Sequence, residues 1–210
     1  GNVLSSCYEP FKSRGSLPQG ELGKQSFSEL VGEVDQLLNR LKVVINGKTL
    51  NPLPINIKLG EFHLYGTLNL IWPEYLVRYR CSKLKPKDQV AIWIDHLVLN
   101  CLNPENYPRE SKVLGSDKTA TYSPIQNCYE ELKKLLDYFW EGQHHPIPFF
   151  LNSSYAYAQQ FLKNQYTDKK SKDPIDEALK QWTSGPFKQG TDSEDSYHDL
   201  AFRGQDPFND

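Results

Sequence analysis

The side chains best able to act on a polyanion lie between Asn69 and Lys87. Arg78, Arg80, Lys83, Lys85 and Lys87 place five cations within ten residues, with Tyr79 among them. Clustered cations with an interleaved aromatic suit phosphate contact along a single DNA strand. The same cluster also suits a solvated loop after an edge strand, where lysines discourage edge-to-edge pairing. Both readings stand at this level. Strand alternation puts Arg78 and Arg80 on one face, and the short Trp72-Pro73-Glu74 turn brings Asn69 into their neighbourhood.

Other candidates carry less. Asp95 and His96 are neighbours on a helix and point in different directions, which favours surface or interface roles. His144-His145 has no acid or thiol positioned to complete a metal site, so both are read as loop residues. No G-x-x-x-x-G-K-S/T loop occurs, so ATP is not bound by that route. Cys7, Cys81, Cys101 and Cys128 include no C-x-x-C pair and read as reduced thiols of a cytoplasmic protein. Trp93 and Trp140 fall on apolar stripes and are expected in the core. Trp72 and Trp182, at a turn and in the tail, are expected to meet a partner.

The elements that must position these residues follow from periodicity. Ser26 and Glu29 form a capping box ahead of Phe27, Leu30, Val31, Val34, Leu37, Leu38 and Leu41, which predicts a helix over 27–42 packed on a sheet. Asn46-Gly47 marks a turn. Ile55, Ile57 and Leu59, then Phe62, Leu64, Leu68 and Leu70, alternate with polar residues, and 75–81 is a further strand. Together these predict a strand meander over 43–81. Helices are expected at 87–101 (stripe Val90, Trp93, Ile94, Leu97, Val98, Cys101), 124–141 and 153–164, with 103–123 loop-like apart from a small hairpin around Gly115-Ser116-Asp117.

The domain reading is an irregular leading segment at 1–25, an α/β domain at 26–165 and an acidic C-terminal segment at 166–210 that packs on the domain or on a partner. That last segment carries Trp182, Phe187, Tyr197, Phe202 and Phe208, a residue type enriched among interface anchors. The 210 residues suffice for a real core, and 38% apolar with 24% charged residues describes a soluble globular chain. The net charge of −2 gives no global pull on nucleic acid, so any DNA contact must be local. No apolar run reaches membrane-spanning length, and no secretory signal opens the sequence. The lack of any methionine marks the chain as a piece of a longer polypeptide.

The order of helix, strand with Gly66-Thr67-Leu68-Asn69, strand with Arg78-Tyr79-Arg80, and helix with Gln89-Val90-Ala91-Ile92-Trp93 resembles the PD-(D/E)xK nucleases. On that resemblance Asn69 stands at the first metal-binding Asp, Arg78 at the second acid and Arg80 at the Lys. Trp93 replaces the Tyr of the helix motif. LPQGELG, LYGTLNLI, QVAIWIDHLVL, YFWEG followed by PIPFF, and RGQDPF occur in the order seen in the C-terminal domains of exodeoxyribonuclease V gamma subunits, the RecC family. The resemblance spans roughly residues 17–208 and implies a nuclease-like mixed sheet flanked by helices, without a working active site.

Electrostatics agrees with that implication. A nuclease holds Mg²⁺ through carboxylates, whereas Asn69 brings no charge and Arg78 a permanent cation. Like unit charges at ~4 Å cost ~4 kcal/mol at an effective dielectric of ~20, and a divalent ion doubles that. No metal or other cofactor is therefore expected in this domain. The resemblance further implies docking on the beta subunit of a helicase–nuclease complex that also holds an alpha subunit, and guidance of DNA strands during double-strand break repair. An active metal-dependent nuclease using other acids and a structural adaptor without DNA contact are the competing expectations.

Overall fold

The structure, a computed structural model, describes residues 7–166, 172–183, 191–203 and 208. A short helix, α1 (Tyr8–Ser13), is held to the long helix α2 (Glu21–Val44) by ring contacts of Phe27 with Tyr8 at 5.3 Å and Phe11 at 6.1 Å. Gly20, at φ 72°, turns the chain into α2 without a side-chain cap, and Glu21 complements the helix dipole. The helix thus starts ahead of the expected Ser26/Glu29 box. Both box residues lie inside it, and Glu29 accepts from Gln25 Nε2 at 3.0 Å. Residues 8–13, expected to be irregular, are helical for the same reason that α1 survives: Tyr8 and Phe11 have an aromatic partner in Phe27.

β1 (Leu53–Leu59) and β2 (Phe62–Leu68) form an antiparallel hairpin with Leu59 opposite Phe62. Gly60, at φ 60°, takes the first central position of its two-residue turn while Glu61 keeps a negative φ, the type II′ arrangement. β2 ends before Leu70, whose φ of 57° breaks the extended run. Beyond it, among the described residues, an isolated bridge between Ile71 and Leu76 joins this stretch to β3 (Tyr75–Tyr79). The expected meander over 43–81 is therefore corrected: β3 belongs to a second sheet. There it runs parallel to β4 (Glu110–Leu114), and β4 pairs antiparallel with β5 (Thr119–Tyr122). A parallel pair needs a crossover, which α3 (Pro86–Leu102) supplies. The hairpin expected around Gly115-Ser116-Asp117 is the β4–β5 turn. Arg40 of α2 grips it, with Nη1 donating to the Gly115 carbonyl at 2.5 Å and Nη2 to Thr119 Oγ1 at 2.7 Å.

α4 (Cys128–His144), α5 (Leu151–Gln165), α6 (Pro174–Trp182), a 3-10 turn at Asp192–Glu194 and α7 (Ser196–Ala201) complete the chain. The architecture is mixed α/β, with small sheets and flanking helices. Two compact units emerge. One comprises the residues up to Leu84 with Ile92–Cys128; the other comprises Lys85–Ala91 and the residues from Tyr129 onward.

In the first unit Leu37 and Leu41 of α2 pack against Trp72, Val77 and Leu114, with Val44, Ile45 and Tyr75 around them. Trp72, expected to meet a partner, is instead 7% exposed: the turn that carries it folds back, its N–H donating to the Tyr75 carbonyl at 2.9 Å. Burying each such side chain stabilises by roughly 1.5–3 kcal/mol. α3 buries Ile92, His96, Leu97, Val98, Leu99 and Asn100, a wider surface than the expected stripe, and leaves Ile94 40% exposed.

In the second unit Phe150 is the hub, 2% exposed, with Trp182 at 4.5 Å, His198 at 5.0 Å, Phe202 at 5.3 Å and Phe208 at 5.9 Å. Three of the five tail aromatics thus sit on this unit's own core, while Tyr197 is 83% exposed and Phe187 lies outside the described residues. Trp140, expected in the core, is 55% exposed on α4. α5 has no cap from its own N-terminus. The buried carboxylate of Asp192 supplies one, accepting from Asn152 Nδ2 at 2.9 Å, Ser153 N–H at 2.7 Å and Ser153 Oγ at 2.8 Å. Bonds from neutral donors to a charged acceptor are among the stronger ones. Asp192→Ala is expected to destabilise this unit by about 2 kcal/mol. Hydrogen exchange should show the loss first at the start of α5 and across 191–203.

Candidate functional site

β3 projects Arg78 toward α3 and the end of β2. Its Nε and Nη2 reach Asp95 Oδ2 at 2.9 and 2.8 Å, and its Nη1 donates to the Asn69 carbonyl at 2.7 Å and the Val77 carbonyl at 3.2 Å. The side chains of Arg78 and Asp95 are 28% and 29% exposed. Burial raises the Asp95 carboxyl pKa; the attraction of Arg78 and its hydrogen bond oppose that rise. Desolvation thus costs this carboxylate more than one guanidinium returns, and Arg78 is the group that keeps it tolerable.

The expected site residues separate as follows. Asn69 contributes its main-chain carbonyl to Arg78, and the residue itself is exposed. Arg80 lies just past β3, donating from Nε to Ser82 Oγ at 2.6 Å and from its N–H to the Leu114 carbonyl at 3.0 Å. Lys83 is exposed on the first unit. Lys85 and Lys87 belong to the second unit, where they line an open groove of about 610 Å³ that Asp192, Glu194 and Asp195 also line. Any phosphate reaching these two lysines meets carboxylates as well. Gln89, of the helix motif, donates to Tyr155 Oη at 2.9 Å.

Asp95, expected at a surface or interface, is instead the partly buried partner of Arg78. The available signal was an acid set among Val90, Trp93, Ile94 and Leu97 opposite a strand arginine. His96, expected at a surface or interface, is fully buried. Its Nδ1 meets Ser111 Oγ at 2.9 Å and its Nε2 the Ser123 carbonyl at 3.0 Å. Since Nε2 must donate to a carbonyl, Nδ1 accepts from the serine in a neutral ring. Trp93 stacks on it at 5.6 Å. His144 ends α4 rather than lying in a loop, and its Nδ1 meets the Trp140 carbonyl at 2.8 Å. Among the described residues no group of three or more His, Cys, Asp or Glu is placed to hold a metal ion. The donor set at Arg78 is one carboxylate already spanned by a guanidinium, which does not fit a divalent cation.

The family described as RecC C-terminal domain matches residues 2–162. The chain belongs to that family. The RecBCD enzyme subunit RecC of Buchnera aphidicola subsp. Acyrthosiphon pisum is 22% identical over 203 residues, covering 92% of this chain and 18% of that protein. The corresponding subunit from Buchnera aphidicola subsp. Schizaphis graminum is 23% identical, covering 87% of this chain and 17% of that protein. The Escherichia coli K12 subunit is 25% identical over 143 residues, covering 67% of this chain and 12% of that protein. The chain therefore spans less than a fifth of the length of these relatives. No helix among the described residues is long and apolar enough to cross a membrane.

Two outcomes follow from the geometry. Arg78→Met leaves Asp95 uncompensated and is expected to cost about 2 kcal/mol, while Arg78→Met with Asp95→Leu should return to within about 1 kcal/mol of the parent. Urea titrations of the four proteins in the cycle measure both values. His96 behaves differently with pH. Burial pushes its pKa below the ordinary imidazole value of 6.5, with the Ser123 carbonyl and Glu110 opposing. The unfolded chain then takes up the proton first. Stability contributed by the neutral ring is full above the unfolded value and is lost as pH falls below it toward the lower folded value. Melting temperatures from about pH 7.5 to 5 should show this fall, and His96→Gln should flatten it.

Proposed function

We propose that this chain is a catalytically inactive, PD-(D/E)xK nuclease-like domain of a RecC subunit. It serves the exodeoxyribonuclease V complex in double-strand break repair in the cytoplasm. It docks on the beta subunit, which carries the nuclease, in an assembly that also contains the alpha subunit, and it helps split and guide DNA strands without binding a metal or other cofactor. Membership of the RecC C-terminal domain family, and the likeness to RecBCD enzyme subunits, support a place in such an assembly. The observation that carries the inactive reading is the bond set of Arg78: its guanidinium spans Asp95 and the Asn69 carbonyl, where a nuclease would gather acids around Mg²⁺. DNA contact through Arg80, Lys83, Lys85 and Lys87 is electrostatic in this reading, with Arg78 giving field rather than free donors.

The test uses the purified domain with single- and double-stranded DNA. No cleavage is expected with Mg²⁺ or Mn²⁺. Cleavage that persists through repurification and vanishes on mutating a residue of this chain would overturn the inactive reading. Binding should be weak and salt-dependent, with a log–log slope shallower than about −3.5, the single-strand value for five contacts at ~0.7 each. Replacing Lys83, Lys85 and Lys87 by Ala should weaken all sequences alike. Binding unchanged by the triple substitution would return these lysines to a solvated surface.

A further inference from the structure

The solvent face of the β1–β2 hairpin holds a second arrangement suited to DNA. The inner face buries Leu53, Ile57, Leu59 and Leu68. The outer face presents Asn56, Lys58, His63, Tyr65 and Thr67, all exposed. Asn56 lies directly opposite Tyr65, and Lys58 opposite His63. Tyr65 Oη meets His63 Nδ1 at 2.6 Å, and His63 Nε2 meets Asn56 Oδ1 at 2.7 Å. An amide oxygen can only accept, so Nε2–H donates to Asn56 and the tyrosine hydroxyl donates to Nδ1. The two rings lie 4.0 Å apart between centroids. The relay spends the phenol's donor within the cluster and fixes the ring. Yet the residue remains 69% exposed.

From this we infer that the outer face of the hairpin is a stacking platform for a base of single-stranded DNA, with Tyr65 as the stacking ring and Lys58 beside it for the neighbouring phosphate. The inference rests on the DNA-handling reading above but concerns residues that reading does not use. Charge decides the occupant. The strand residues of this face carry Lys58 and no carboxylate; Glu61 lies beyond them in the hairpin turn, at the end away from Tyr65. Its one large apolar surface is a flat ring held in place before binding, so little side-chain freedom is lost on contact. A duplex keeps its base faces inside the stack and offers the ring nothing.

The test measures fluorescence anisotropy of a labelled oligothymidylate and of a labelled duplex at low salt with the full chain. Tyr65→Ala is expected to weaken single-strand binding about tenfold, the typical loss of one stacked base, and to leave duplex binding unchanged. Tyr65→Trp keeps a stacking face and should restore single-strand affinity, which separates lost stacking from lost folding. If the parent chain binds the duplex but no single strand, or if it binds single strands and Tyr65→Ala binds them equally well, the platform is wrong and the DNA-handling reading survives. If the parent binds neither, both fall. An equal loss for single strand and duplex also overturns the platform, because stacking cannot produce it.

Discussion

The half-buried charge of Asp95 constrains the elements that meet at β3. A carboxylate on a crossover helix, less than a third exposed, requires a cation within reach. Arg78 meets that need from β3 and in doing so ties three pieces together: β3 through its own backbone, α3 through Asp95, and the end of β2 through the Asn69 carbonyl. β2 and β3 share no sheet, and the guanidinium adds a second link to the one that the Ile71–Leu76 bridge makes. Position 78 is occupied by a framework interaction.

Local patterns made most elements legible. The alternation of Ile55, Ile57 and Leu59 marks a strand because one face of the hairpin is buried and the other wet. The stretch 151–165 reads as a helix with nearly the expected limits, and the β4–β5 hairpin was signalled by its Gly-Ser-Asp turn. Pairing was not legible. Nothing in Tyr75–Tyr79 distinguishes a meander strand from the first strand of a parallel pair, because both are short apolar runs; the deciding event is the positive φ at Leu70, a residue with no intrinsic preference for it. Partnership at a distance was likewise hidden. Arg40 on the hairpin turn and Asp192 on α5 each act across many residues of sequence, so no spacing rule exposes them. His96 and Trp140 exchanged their expected environments because burial depends on which side a neighbouring element covers, and a helical stripe alone cannot say.

The second unit shows how an acidic, weakly apolar segment can still be structured. Its sequence holds too few apolar residues for a core of its own. Those it has converge on Phe150, and its carboxylate Asp192 finds the uncapped N-terminus of α5, where main-chain N–H groups face outward. Such an arrangement exchanges two costs, a buried acid and orphan helix donors, for one set of charge-assisted bonds. Here the acid at 192 serves as a docking turn for the unit's own helix.

The Arg78 arrangement also resists an acid at its own position. Placing an acid at 78 alone would remove the only cation shown beside Asp95 and set a second carboxylate near it. Two like charges at ~4 Å repel by ~4 kcal/mol at an effective dielectric of ~20, a large part of the stability of an ordinary domain. Binding a divalent ion would offset this only where further oxygen ligands converge, and the Asn69 main-chain carbonyl is already bonded to Arg78. A catalytic centre would need position 69 changed together with 78, and the Asn69 backbone released from its present bond. With Arg78 in place Asp95 and the Asn69 carbonyl each have a partner, so these elements are held together by packing and one ion pair.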